Sequence, residues 1–542
     1  MDGLMMDYPL TIEFILRRAE TLFGHKPIVT RRPDKTIHRY TYSDFVPRAK
    51  KLAVALQHLG LRRGDRVATL CWNQYEHVEA YFGVPLAGLV LHTINPRLHP
   101  SDLTYIVNDA EDRVLIIDDT LLPVLEKFRA DVRIEHIVVI EHGAKAPAGT
   151  IGYETLLAGA DPNAFAYPEL DEGEAAAMCY TSGTTGRPKG VVYSHRALVL
   201  HSLGQASGAV GVLESDVVLP VVPMFHVNAW GLPFTCTMVG ATQVHPGPHL
   251  DAESLCELFV GEHVTYTAGV PTIWLGLLRR LDERPKDYDL SRLRLLVVGG
   301  SAAPLSMIRG FDERHGLRVL HAWGMTETTP LGVVSSLMSD LEQADTETRF
   351  AYRAKQGYPV PLVEIRAQDD AGHDVPWDGK TMGELQVRGP WVARAYYKSP
   401  ESADRFTADG WFRTGDIVTI DARGYVEIQD RSKDLIKSGG EWISSVALEN
   451  ALMGHPAVAE AAVIAVPHAR WQERPLAVVL LKPACTATAD ELRAFLAPTF
   501  AKWWLPDAFE FVTEIPKTAA GKFRKTALRE RFATAREASP AS

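Results

Sequence analysis

The run Tyr180-Thr181-Ser182-Gly183-Thr184-Thr185-Gly186-Arg187-Pro188-Lys189-Gly190 sets four aliphatic hydroxyls, three glycines and two cations close together. Glycine lets backbone N–H groups approach an anion closely. Hydroxyls donate to phosphate oxygens, and Arg187 and Lys189 offset the charge. The same composition also describes a polar surface loop, so taken alone it leaves phosphate binding and a plain turn both open. It is not the GxxxxGK[ST] loop, because Pro188 stands where that motif needs glycine before the lysine. An apolar stretch precedes the run, and Val191-Val192-Tyr193-Ser194-His195 follows it.

Outward from this loop, short apolar runs alternate with helix-length segments. Residues 66–71 read as a strand, followed by a helix from 75 to about 90. Residues 216–222 and 293–298 are continuous apolar runs, the second closed by Gly299-Gly300. Uniformly apolar short strands suit sheets covered on both faces by helices, so the fold class is α/β. Past about residue 383 the pattern changes. Residues 383–388 alternate apolar and polar, and 416–429 read as a hairpin turning at 421–424. The dense polar run Asp430-Arg431-Ser432-Lys433-Asp434 then precedes new α/β-like material. These features divide the chain into a large domain, residues 1–432, and a small one, 433–542.

The whole chain has 542 residues, 46% apolar and 23% charged, which excludes a disordered or collagen-like polymer. A net charge of −10 argues against a dedicated nucleic-acid binder, which carries a basic face. The five cysteines are scattered with no CxxC pair, which reads as reduced thiols in a cytoplasmic protein. No apolar run approaches the ~20 residues that span a bilayer. MDGLMMDYPL makes a poor secretory leader, having two acids and no basic start.

TSGTTGRPKG resembles the phosphate-loop signature of the adenylate-forming (AMP-binding) superfamily, which holds acyl-CoA synthetases, adenylation domains and firefly-type luciferases. Further signatures stand in the expected order. They are Pro223-Met224-Phe225-His226, Gly299-Gly300-Ser301-Ala302-Ala303-Pro304, Trp323-Gly324-Met325-Thr326-Glu327, Trp411-Phe412-Arg413-Thr414-Gly415-Asp416, Asp430-Arg431-Ser432-Lys433-Asp434 and Pro516-Lys517-Thr518-Ala519-Ala520-Gly521-Lys522. The resemblance covers nearly the whole chain. It implies a large N-terminal αβ layered domain with a small mobile C-terminal α+β domain, hinged at Lys433. It also implies two steps: a carboxylate attacks the α-phosphate of ATP to give acyl-AMP and pyrophosphate, and coenzyme A then displaces AMP.

By the same resemblance, Thr181, Ser182, Gly183, Thr184, Thr185 and Lys189 hold the ATP phosphates. Gly300, Ser301, Ala302, His321, Ala322 and Trp323 flank the adenine, and Thr326 bonds the α-phosphate. Trp323 departs from the usual tyrosine, keeping a flat ring and losing the phenol. Asp416, expected at a strand start, takes the ribose hydroxyls with Arg431 and Lys433 nearby. Glu327 and Thr181 hold Mg²⁺, an ion that keeps waters and substrate phosphates as its other ligands. Lys522 bridges carboxylate and α-phosphate in the first step. Rotation about the hinge then replaces it with Lys437 and the coenzyme A surface Gly439, Gly440 and Trp442.

The position after Phe225 is His226, where amino-acid-activating relatives carry an aspartate for the substrate ammonium. Without that acid a buried ammonium has no partner. His226, Val227, Trp230, Val270 and Gly300 instead resemble the acyl tunnel of bacterial fatty-acid CoA ligases, Trp230 being its gate. Each buried CH₂ contributes roughly 0.8 kcal/mol, so such a tunnel favours medium to long chains until its end wall. The alternatives are a short, aryl or sulfur-containing acid such as methylthiopropionate, or, from another class, a non-catalytic nucleotide-binding protein. Some long-chain relatives are homodimers, so the resemblance allows a homodimer without a residue that requires it.

Overall fold

Two parallel sheets account for most of the apolar runs. A computed structural model describes the chain except residues 2, 182–186, 209, 440, 519–521 and 538–542. Ser182, Gly183, Thr184, Thr185 and Gly440 therefore lie outside the described residues. The first sheet runs Ile151–Gly152, His136–Ile140, Asp112–Asp118, Arg66–Leu70, Val90–Thr93, Ala175–Tyr180, Gly190–Ser194. It is parallel up to the last pair, which is antiparallel with Tyr180 opposite Gly190. The two strands that flank the run quoted above thus pair, and the Thr181 N–H donates to the Lys189 carbonyl at 2.9 Å.

The second sheet has nine strands, in the order Tyr358–Pro359, Leu331–Val334, Val319–Gly324, Leu295–Val298, Tyr266–Gly269, Val217–Pro220, Thr242–His245, Pro27–Arg31, Ile37–Thr41. Its six central strands are parallel and its ends antiparallel. Leu295–Val298 and Tyr266–Gly269 are buried along their whole length, as a doubly covered sheet requires. Amphipathic helices supply the cover: Ile12–Leu22 buries Ile12, Ile15, Leu16 and Ala19, one face at helical spacing.

Two expectations need correction. The helix expected to reach residue 90 ends at Leu86, because Gly88 turns the chain at φ +74 and Val90 opens a strand. Asp416 is not at a strand start but inside the long strand Phe412–Ile420, because Phe412 and Arg413 already pair with Val387 and Gln386.

That strand belongs to an antiparallel sheet, Glu364–Gln368, Gly383–Arg388, Phe412–Ile420, Val426–Arg431. A further sheet, Glu441–Ile443, Ile436–Ser438, Gln472–Leu481, Val458–His468, with Ala508–Phe511 beside Gln472–Leu481, follows residue 433. Both its faces are covered by apolar groups drawn from residues after 433 alone, such as Leu448, Val463 and Leu492 on one side and Ile464, Ile515 and Leu528 on the other. Each such side chain contributes roughly 1.5–3 kcal/mol on full burial, so this unit has a core of its own.

Candidate active site

In open α/β sheets ligands collect outside the carboxyl ends of the parallel strands. Here His226 follows Val217–Pro220, Val270 follows Tyr266–Gly269, Gly300 and Ser301 follow Leu295–Val298, and Trp323 lies near the end of Val319–Gly324. Pro271 opens the helix Pro271–Glu283 directly after Val270, which ends the strand at that edge. All of these strand-end residues except Val270 line one cavity of about 1050 Å³, which Thr181, Lys189, Glu327, Asp416 and Lys522 also line; Val270 packs behind Gly300.

On the polar side the carboxylates are held by donors. Asp416 is 2% exposed and faces Arg431 in register across the antiparallel pair. Its Oδ1 meets Arg431 Nε at 2.6 Å and its Oδ2 accepts from Trp323 Nε1 at 3.0 Å. The indole thus supplies a donor that the sequence reading treated as lost with the phenol. Glu327 is 6% exposed in a short 3₁₀ turn, Thr326–Thr328. The Tyr396 hydroxyl donates to Glu327 Oε1 at 2.6 Å, and the Tyr193 hydroxyl donates to the Thr326 carbonyl at 2.8 Å. Lys189 Nζ lies 5.0 Å from the Tyr396 ring centre. Tyr193 and Tyr396 escaped the sequence reading; as separate tyrosines outside the signatures, neither carries a spacing signal.

Lys522 reaches this side from the C-terminal unit. Its amine is lowered to about 8, first by burial and then by Arg431, while Asp416 and Glu327 oppose the shift. Burial and the nearby Lys522 hold the His226 imidazole at about 4, so it is neutral at physiological pH. His321 is likewise held at about 4 by burial, and its Nδ1 lies 3.1 Å from the Ala354 carbonyl. Ser301, Ala302, Ala322, Thr326 and Lys433 also line the cavity. Lys437, Gly439 and Trp442 do not. Lys437 Nζ instead sits 4.7 Å from the Trp442 ring, and the Gly439 N–H donates to the Trp471 carbonyl at 2.9 Å.

The other side of the cavity is apolar. Val227, Asn228, Ala229 and Trp230 form a left-handed turn with φ of 46, 52, 49 and 56°. Left-handed backbone costs roughly 1–2 kcal/mol per non-glycine residue, so the surroundings must over-determine this turn. Asn228 Oδ1 accepts from the Cys179 thiol at 2.9 Å and the Thr93 hydroxyl at 3.3 Å. The Trp230 indole lies against Gly299, where an added Cβ would meet its ring at 3.1 Å. Leu232, Tyr266, Ala268 and Val297 line the cavity as well.

Two oxygen donors on the cavity wall could serve a cation: the Glu327 carboxylate, with Oε1 engaged by Tyr396, and the Thr181 hydroxyl, which accepts the Lys189 N–H at 3.0 Å. Oxygen donors of this kind fit a hard divalent cation such as Mg²⁺.

The family model described as AMP-binding enzyme matches residues 16–397, and the one described as AMP-binding enzyme C-terminal domain matches 447–522. The chain is 53% identical to a long-chain-fatty-acid–CoA ligase of Thermus thermophilus, over 97% of this chain and 96% of that one. It is 45% identical to a 3-methylmercaptopropionyl-CoA ligase of Ruegeria pomeroyi, over 98% and 99%. A crystal structure of an anthranilate CoA ligase in complex with anthranoyl-AMP superposes with a TM-score of 0.87 at 28% identity, covering 98% and 99% of the two chains.

Proposed function

Because this chain belongs to the AMP-binding enzyme family, we propose that it is an ATP-dependent, AMP-forming fatty-acid CoA ligase for medium- to long-chain acids. ATP and coenzyme A are its co-substrates and Mg²⁺ its metal. The observation that carries the reading is the single cavity in which phosphate-side cations, a ribose-side carboxylate and an apolar branch meet. A polyanion and a fatty carboxylate meeting there need neutralised charge on one side and dry apolar walls on the other.

In this reading Lys189 and the hydroxyl loop around Thr181 hold the phosphates, while Asp416 and Arg431 hold the ribose. Gly300, Ser301, Ala302, His321, Ala322 and Trp323 flank the adenine. Mg²⁺, held by Glu327 and Thr181, would withdraw charge from the phosphates. Lys522 stands as a point charge between carboxylate and α-phosphate, and Thr326 bonds the same phosphate. The carboxylate oxygen bonds to the α-phosphorus and the bond to pyrophosphate breaks. The chain divides at Lys433 into residues 1–432 and 433–542. Turning the second unit about that residue removes Lys522 and brings in Lys437, Gly439, Gly440 and Trp442 for the thiol, which forms the thioester and releases AMP.

His226, Val227, Trp230, Val270 and Gly300 bound the acyl chain. A neutral imidazole at 226 offers a buried ammonium no counter-charge, which supports a plain carboxylic acid. A homodimer, a cytoplasmic location and no nucleic-acid partner complete the proposal. A shorter sulfur-containing acid is the second reading, favoured by the Trp230 indole lying across the branch at Gly299. A panel of acids from butanoate through octanoate to palmitate, with methylthiopropionate, read by AMP release with coenzyme A present, decides between them. Rising kcat/KM from butanoate to octanoate or palmitate supports the first reading. A maximum at methylthiopropionate supports the second, and no AMP with any acid removes both.

A further inference from the structure

The apolar branch contains a buried amide. Gln205 lies in the last turn of the helix His195–Ala206, is 4% exposed and lines the cavity. Its Nε2 donates to the Trp230 carbonyl at 2.8 Å, and its Oε1 accepts from the Thr235 hydroxyl at 2.6 Å. Both ends of one side chain therefore hold the segment that begins with the left-handed turn and continues into the helix Leu232–Val239. A buried amide in an apolar wall needs hydrogen-bond partners, and here this segment takes one N–H and supplies the oxygen's donor.

The turn at 227–230 has four consecutive non-glycine residues at positive φ, so it persists only while its neighbours hold it. Asn228 anchors the middle of the turn through Thr93 and Cys179. Gln205 anchors its end, at the residue whose indole lies across Gly299 and Gly300.

We propose that Gln205 is a positioning residue that holds Trp230 across the entrance of the apolar branch and thereby sets the enzyme's acyl-chain selectivity. The proposal rests on the acyl-CoA ligase reading above. It names a selectivity determinant outside the family signatures, on a different helix from Trp230.

Gln205→Leu keeps the approximate shape and removes the donor. With the turn released, the indole yields more readily to a long chain. The expected result is a rise of about fivefold in kcat/KM for palmitate relative to butanoate, carried by KM rather than kcat, the size expected for one lost hydrogen bond. In a Trp230→Ala background the same substitution should then leave that ratio unchanged, because there is no indole left to position. A uniform change for all acids, or an equal shift in the Trp230→Ala background, overturns the proposal. Should Gln205→Leu fail to fold, as read by thermal unfolding, Gln205→Met gives the same test. If the parent enzyme used octanoate or methylthiopropionate but not palmitate, the long-chain part of the reading would fall. The ratio of octanoate or methylthiopropionate to butanoate would then decide the role of Gln205 independently.

Discussion

Lys522 and Lys437 belong to the same C-terminal unit, yet their surroundings differ in kind. Lys522 is turned into the nucleotide cavity, where burial and Arg431 lower its amine to about 8. Lys437 is exposed, outside that cavity, with its ammonium against the Trp442 ring at 4.7 Å. One small domain thus carries two cationic faces, and in the arrangement described here the Lys522 face meets the cavity. A single rigid site would have no use for the second face. Two half-reactions with different incoming groups have a use for both, provided that the unit turns as a body. Its separate core, built from residues after 433, suits such motion.

The strongest way to break this comparison is to remove each cation in turn. Lys522→Ala should lower acyl-AMP formation by about 10²–10³-fold, the range seen when one charge-stabilising donor is lost. Thioester formation from supplied acyl-AMP should persist in that variant. Lys437→Ala should give the opposite pattern, with pyrophosphate release retained and thioester formation slowed. Single-turnover assays of each step measure both. Equal loss in both steps for either variant would merge the two faces into one.

The α/β class and many of the cavity-lining residues were legible in the chain. Apolar strands followed by Gly299-Gly300 or Pro271 mark the carboxyl edge of a parallel sheet, and the signatures at 223–226, 299–304 and 323–327 sit at that edge. The 181–189 run was legible in composition, but not the antiparallel pairing of the strands that flank it, Ala175–Tyr180 and Gly190–Ser194. The placement of Asp416 within a strand was missed because pairing, not local pattern, extends that strand back to Phe412. The left-handed turn at 227–230 was invisible for a deeper reason. None of its residues is glycine, so no local preference announces it, and its holders lie far away in sequence at Thr93, Cys179 and Gln205. Tyr193 and Tyr396 were missed for the same reason, their partners being over 60 residues distant.

A milder substitution sharpens what receives the Lys522 face. Trp323 Nε1 donates to a carboxylate that is 2% exposed, and Arg431 holds the other oxygen. Trp323→Phe keeps an aromatic ring at that place in the cavity and removes the N–H. A net loss of about 1 kcal/mol, or roughly fivefold, is the scale of one such hydrogen bond. It should appear as a higher KM for ATP in acyl-AMP formation. The thioester step from supplied acyl-AMP tests its reach: a similar loss there would mean that Asp416 serves both arrangements of the C-terminal unit.

Proton dependence gives the smallest effect. A lysine lowered by burial keeps its charge below its pKa and loses it as pH rises through that value, here about 8. If the charged amine carries the first step, kcat/KM for acyl-AMP formation should fall about twofold between neutral pH and 8, and further above it. Lys522→Arg keeps its charge through that range, so its profile should lose this alkaline limb even though its absolute rate is lower. A limb that survives in Lys522→Arg belongs to another group. The two faces would then differ in position, but the lowered lysine would not set the alkaline limit of the first step.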